Sequence, residues 1–98
     1  MKLPDKIVLY SQEGCRACKY AENNLKKADG WEKYITIESV RDDDGIWKSD
    51  IKDLGVKATP TLVAFLEDEV IAFMEGSNNM SSQFFKNLIS KYKNSCTS

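Results

Sequence analysis

The sequence predicts an α/β domain in the order β-α-β-α-β-β-α, with a four-stranded mixed sheet flanked by helices. Three observations predict it. Ile7-Val8-Leu9-Tyr10 is an unbroken apolar run, the pattern of a strand buried on both faces. After a short loop, Ala17, Ala21, Leu25 and Ala28 recur at helical spacing. Later, the apolar runs Leu62–Leu66 and Val70–Met74 are separated only by the polar turn Glu67-Asp68-Glu69, so they should pair as a hairpin.

Each element follows in order. Ser11-Gln12-Glu13-Gly14 reads as the loop after the first strand, and the helix should begin near Cys15. Lys19, Glu22, Asn23, Lys26 and Lys27 face away from its apolar stripe, and Gly30 fits its terminator. Tyr34-Ile35-Thr36-Ile37-Glu38 has strand composition, and Arg41-Asp42-Asp43-Asp44-Gly45 breaks it. The first half is then a βαβ unit, which demands a parallel pair and a right-handed crossover. A second helix is expected with Ile46, Trp47, Ile51 and Leu54 on its buried side, Gly55 at its end and the aspartates as negative charge at its start. Thr59-Pro60 opens the next strand. A last helix carries Phe84, Phe85, Leu88, Ile89 and Tyr92 on one stripe, with Asn79 or Ser81 as cap.

At 98 residues, with 42% hydrophobic and 30% charged, the chain has the size and composition of one globular domain. The expected domain is therefore 1–98, with 93–98 as a flexible polar tail. Lysine and arginine number 14 against 15 acidic residues, a net charge of −1. That balance supplies no strong field for nucleic acid or an anionic membrane. No apolar run approaches the ~20 residues of a membrane span. Met1–Lys6 leads into a short apolar run with a charge close behind it, which predicts no signal peptide and a cytoplasmic location where thiols stay reduced. A monomer is expected.

The chemistry is constrained by what is missing. The chain has no histidine, which removes the common general base, the commonest zinc ligand and the usual serine or cysteine nucleophile systems. Its three cysteines are Cys15, Cys18 and Cys96, an odd number that argues against a secreted disulfide framework. Cys15-Arg16-Ala17-Cys18 supplies two metal ligands where structural zinc wants four, so no metal and no organic cofactor is expected. Cys96 reads as a free surface thiol. Asp42-Asp43-Asp44-Gly45 lacks the alternating acidic spacing of a calcium loop. Trp31 and Trp47 read as packing.

The context of the cysteine pair matters more than its spacing. It stands directly after a buried strand and at the start of a helix, where backbone N–H groups point outward and carry about half a positive charge. A thiolate placed there is stabilised, and its pKa falls below the ~8.5 of a free thiol. Cys15 is expected at or beside the cap, with Arg16 and Lys19 adding positive charge. Cys18 is expected inside the first turn, nearer the core, and the i, i+3 spacing puts both sulfurs on one face. Cys15 is thus the candidate nucleophile toward a substrate disulfide and Cys18 the resolving thiol. Pro60 is the second piece. A cis bond at Thr59-Pro60 would explain a proline at the head of a buried strand and leave the Thr59 backbone free to pair with an extended substrate.

From Ile7 to about Tyr92 the chain resembles the thioredoxin superfamily. Cys15-Arg16-Ala17-Cys18-Lys19 is similar to its redox motif, and Ala58-Thr59-Pro60-Thr61-Leu62 with Phe65 to its cis-proline strand, 60 − 15 = 45 positions on. Gly76, at 76 − 60 = 16 positions beyond the proline, resembles the glycine that lines the thioredoxin groove. Tyr10-Ser11-Gln12-Glu13-Gly14-Cys15 is more similar to a glutaredoxin entrance. The departures are specific: Gln12 and Gly76-Ser77-Asn78-Asn79 replace the basic and acidic residues that hold glutathione in glutaredoxins, Gly14 replaces the thioredoxin tryptophan, and Leu9 replaces its buried aspartate. Arg16-Ala17 is neither the Gly-Pro of thioredoxins nor the Pro-Tyr of glutaredoxins, and Arg16 should raise the reduction potential above the ~−270 mV of a typical thioredoxin.

The resemblance implies a thiol–disulfide oxidoreductase that reduces protein disulfides, with Cys15 and Cys18 catalytic. Arg16, Ala17, Thr59, Pro60 and Gly76 would shape the substrate surface. It implies thioredoxin reductase or glutathione as electron source, and ribonucleotide reductase as a client of small redoxins of this mixed kind. The alternatives are a glutathione-dependent glutaredoxin and a redox-silent binding module of the same fold.

Overall fold

A computed structural model of the protein describes residues 4–95, with side chains through Lys91. Of the expected flexible tail 93–98, residues 93–95 instead continue the last helix, while 96–98, Cys96 among them, and the side chain of Tyr92 lie outside the described residues. The elements are β1 (Lys6–Ser11), α1 (Arg16–Lys26), a single 3-10 turn (Trp31–Lys33), β2 (Ile35–Ser39), α2 (Ser49–Asp53), β3 (Thr61–Leu66), β4 (Glu69–Glu75) and α3 (Ser82–Ser95). The predicted order holds, with the 3-10 turn inserted before β2.

The sheet runs β2-β1-β3-β4. β1 pairs parallel with β2 and antiparallel with β3, and β3 pairs antiparallel with β4, so the sheet is mixed. The unbroken apolar runs of β1 and β3 are explained by two cores, one on each face. Ile7, Leu9, Leu62 and Ala64 point to the α1–α3 side, where they meet Ala21, Leu25, Met80, Phe85 and Ile89. Val8, Tyr10, Val63 and Phe65 point to the other, where they meet Val40, Ile51 and Val56. Successive side chains on a strand alternate faces, so a strand covered on both sides has no polar position to spare. Each large apolar side chain withdrawn from water this way contributes roughly 1.5–3 kcal/mol.

The buried side chains of Ser11, Asn24 and Thr61 each have a hydrogen-bond partner. Asn24 on α1 donates its side-chain amide to the Met80 carbonyl at 3.0 Å, tying the middle of α1 to the segment that enters α3. Ser81 caps α3: its Oγ accepts from the Phe84 N–H at 3.1 Å, choosing between the two predicted caps. The β3–β4 hairpin turns on Glu67 and Asp68, both at positive φ (53° and 69°), the two-residue turn whose twist matches the strands. A register shift between Ala64 and Phe65 moves their partners from Ala72 to Val70, leaving Ile71 as an extra residue on β4.

Three local readings are corrected. The helix α1 closes at Lys26, and Gly30 instead uses its left-handed conformation (φ 77°) to start the 3-10 turn. The second helix is only five residues, so its expected apolar stripe shrinks to Ile51 with partly buried Leu54, and Ile46 is 60% exposed. The residues before it form a small hairpin, with Arg41 bridged to Trp47. Asp42 is therefore a turn former and not a helix-end charge: its Oδ1 accepts from the N–H groups of Asp44 at 2.9 Å and Ile46 at 3.0 Å. Among the described residues no helix is long and apolar enough to cross a membrane.

Candidate active site

Gly14 turns the chain out of β1 at φ 76°, a conformation a side chain disfavours, and delivers Cys15 to the head of α1. Cys15 is extended (φ −97°, ψ 111°) and is the N-cap itself. Its Sγ accepts from the N–H of Cys18 at 3.1 Å, taking the place that a serine or aspartate oxygen fills in most helices. One of the unpaired N–H groups of the helix start is thus aimed at the sulfur. Arg16 and Ala17 form the first two helical positions, Arg16 exposed and Ala17 half-buried. Cys15 is half-buried, whereas Cys18 is 0% exposed beneath it. The two are joined as a disulfide with Cα atoms 5.2 Å apart.

The turn before β3 closes over the pair. The Thr59–Pro60 peptide is cis, as the sequence suggested. The Thr59 hydroxyl donates to Cys15 Sγ at 3.6 Å, and the Thr59 carbonyl oxygen lies 3.8 Å from the same sulfur. Pro60 is buried. Its carbonyl accepts from the Gly76 N–H at 2.9 Å, which seats the end of β4 beside the cis-proline turn. Gly76 is at φ 86°. All seven residues singled out in the sequence therefore lie in or against one surface: Cys15, Arg16, Ala17 and Cys18 on the helix head, Thr59 and Pro60 on the turn, and Gly76 behind it.

Two residues were missed. Gln12 donates from Nε2 to Thr59 Oγ1 at 2.8 Å and accepts from Arg41 Nε at Oε1, also at 2.8 Å. The sequence carried a faint signal for Arg41. Asp42 and Gly45 bracket a tight turn, and that turn places Arg41 and Trp47 opposite each other. Leu9 is fully buried and offers no proton acceptor; Glu22, expected to face away from the apolar stripe, is partly buried at the edge of that stripe, four residues past Cys18. Glu22 Oε2 accepts from Ser11 Oγ at 3.0 Å, and both line a groove of about 530 Å³ that opens beside Gly14 and Lys19. No group of three or more histidine, cysteine, aspartate or glutamate side chains among the described residues is placed to hold a metal ion.

This architecture is the thioredoxin fold. The structure matches thioredoxin-2, a component of the malaria parasite protein secretion machinery, with a TM-score of 0.68 and 19% identity over 93% of this chain and 85% of that one. It matches thioredoxin 1 of Thermosipho africanus with a TM-score of 0.63 and 19% identity, over 95% of this chain and 99% of that one. Deadhead, the germline-specific thioredoxin of Drosophila melanogaster, gives 0.61 at 20% identity over 89% of this chain and 81% of that one. No family model matches the sequence, and no curated protein matches it. The class defined by fold and site is a thioredoxin-fold protein with a disulfide-forming CxxC pair at a helix start.

Proposed function

We propose that the protein is a thiol–disulfide oxidoreductase that reduces disulfides of other proteins. One observation carries the reading: the Cys15 sulfur is the cap of its own helix, receiving the Cys18 N–H on one side and the Thr59 hydroxyl on the other. A sulfur that accepts hydrogen bonds at a helix start is favoured as the anion, and the anion is the nucleophile in disulfide exchange.

In the reduced protein the Cys15 thiolate attacks one sulfur of a substrate disulfide. A mixed disulfide forms and one substrate thiolate leaves. Cys18, deprotonated, then attacks the Cys15 sulfur, the second substrate thiolate leaves, and the Cys15–Cys18 disulfide remains. Two electrons pass to the substrate. The Cys15–Cys18 disulfide of the structure corresponds to the oxidised form that this sequence would leave. Arg16 and Ala17 on the helix head, Thr59 and Pro60 on the turn, and Gly76 beside them form the surface against which the substrate segment lies. With Leu9 at position 9, Glu22, four residues beyond Cys18 on α1, is the carboxylate we propose as acceptor for the Cys18 proton, on its helical spacing.

The protein works in the cytoplasm as a single domain and is recharged by thioredoxin reductase, with glutathione as the second electron source. Ribonucleotide reductase is the client to test first, because small redoxins of this kind serve it. Reduction of insulin disulfides, with dithiothreitol as electron source, tests the activity. Wild type accelerates insulin precipitation and Cys15→Ser does not. Activity that survives in Cys15→Ser would sink the reading. A coupled assay with NADPH and each reductase system then separates the two electron sources.

A further inference from the structure

We propose that Arg41 and Gln12 set the direction of a hydrogen-bond chain that ends on Cys15, so that the Thr59 hydroxyl proton is aimed at the sulfur and holds it as a thiolate. The inference rests on Cys15 being the attacking sulfur.

The direction follows from what each group can do. A guanidinium has only donors. Arg41 Nε meets Gln12 at 2.8 Å, so the Gln12 atom facing it must be the oxygen. That choice settles the amide orientation, which a lone glutamine leaves open. The Gln12 nitrogen then faces Thr59 and donates to Oγ1 at 2.8 Å. A hydroxyl that accepts there keeps its single proton for another partner. The acceptor it meets, among the described residues, is Cys15 Sγ at 3.6 Å, an ordinary length for a bond to sulfur. Each link polarises the next, and the cation at the far end strengthens donation at the near one. A thiolate is a far better acceptor than a disulfide sulfur, so the chain favours the reduced, reactive state.

The anchor is built to stay in place. Arg41 Nη1 donates to the Gly45 carbonyl at 2.7 Å, and the guanidinium lies over the Trp47 ring, 5.9 Å from its centroid. The Asp42 turn shapes the loop between them. The aspartate–glycine segment is thus the clamp that presents Arg41 to Gln12. Other charges sit on the surrounding elements: Glu13 in the loop before Cys15, Arg16 and Lys19 on α1, Lys57 ahead of Thr59, and Glu75 at the end of β4. All remain in every variant below, so only Arg41's own charge has to be separated from its role as a donor.

The test is the pH dependence of Cys15 alkylation by iodoacetamide in the reduced protein, read on the Cys15 peptide by mass spectrometry. Below the thiol pKa, Thr59→Val slows the reaction about fivefold, the worth of one ordinary hydrogen bond. Thr59→Ser reacts as wild type does. Arg41→Met and Gln12→Leu each slow it about twofold to threefold, and neither adds anything when combined with Thr59→Val. Arg41 and Gln12 lie at the surface, so these variants fold, and circular dichroism checks it. An Arg41→Met effect that persists unchanged in the Thr59→Val background would mean action by charge alone and would overturn the proposal. So would a Thr59→Val rate equal to wild type, or Thr59→Ser behaving like Thr59→Val. Alkylation needs no protein substrate. A failed relay with insulin reduction intact overturns only this inference, whereas wild type that cannot reduce insulin overturns the dithiol-exchange reading itself.

Discussion

Cys15 and Cys18 are linked twice, once through their sulfurs and once through the Cys18 N–H that donates to Cys15 Sγ at 3.1 Å. The second link makes the Cys15 sulfur a helix cap. Cys15→Ala in the reduced protein should therefore cost about 1 kcal/mol of stability, within the ~0.5–2 kcal/mol range of lost caps, while Cys15→Ser should cost much less because its oxygen can cap. Urea unfolding of both variants under reducing conditions measures this.

Asn24 is buried and gives its amide to the Met80 carbonyl. Asn24→Leu leaves that carbonyl without its partner in an apolar setting. A loss of about 1–3 kcal/mol is expected from chemical denaturation, with insulin reduction unchanged at a temperature where the variant is folded. The bond ties α1 to the entry of α3 and touches neither cysteine.

Tyr10 is 4% exposed, and its hydroxyl is held above its ordinary pKa of 10.0 by burial first, then by the charges of Glu38 and Asp50. The unfolded chain ionises at the lower value, so above pH 10 it binds fewer protons than the folded protein. Stability is thus intact below about pH 10 and falls as pH rises through the folded pKa. Tyr10→Phe should flatten this alkaline limb, as followed by melting temperature between pH 9 and 11.5.

Glu22 shares the Cys18 face of α1. Glu22→Gln should leave the first step, formation of the mixed disulfide, at its wild-type rate. It should slow the second step, release of reduced substrate, by about a hundredfold, the order a positioned base supplies. Rapid acid quench and mass spectrometry separate the two steps.

The site was legible where local chemistry and chain order agree. A buried strand running into Cys15, and a Thr59-Pro60 pair heading another buried strand, place the cysteines and the cis-proline turn without reference to distant residues. Gly76 was named only through the resemblance to thioredoxins, and the structure places it beside Pro60. The segment from Arg41 to Trp47 was not legible. Three consecutive aspartates read as charge at a helix start, but Asp42 spends its carboxylate on two backbone N–H groups of its own turn, which shortens the helix and frees Ile46 to solvent. Arg41 then reaches Gln12 across 29 positions of sequence, a pairing set by tertiary structure that no local pattern announces. The same holds for Asn24, whose partner is 56 positions away. Polar residues inside an apolar stripe look like blemishes until the other half of the bond is known.

In the proposed mechanism the half-buried sulfur of Cys15 attacks first and Cys18 completes the exchange. Its most direct test is a trapping experiment with Cys18→Ser and an oxidised protein substrate, resolved by non-reducing electrophoresis and peptide mass spectrometry. A stable covalent adduct through Cys15 that reductant dissolves is expected, and none when Cys15→Ser is used instead. An adduct formed through another cysteine, or none with Cys18→Ser while wild type still turns over, would contradict that mechanism.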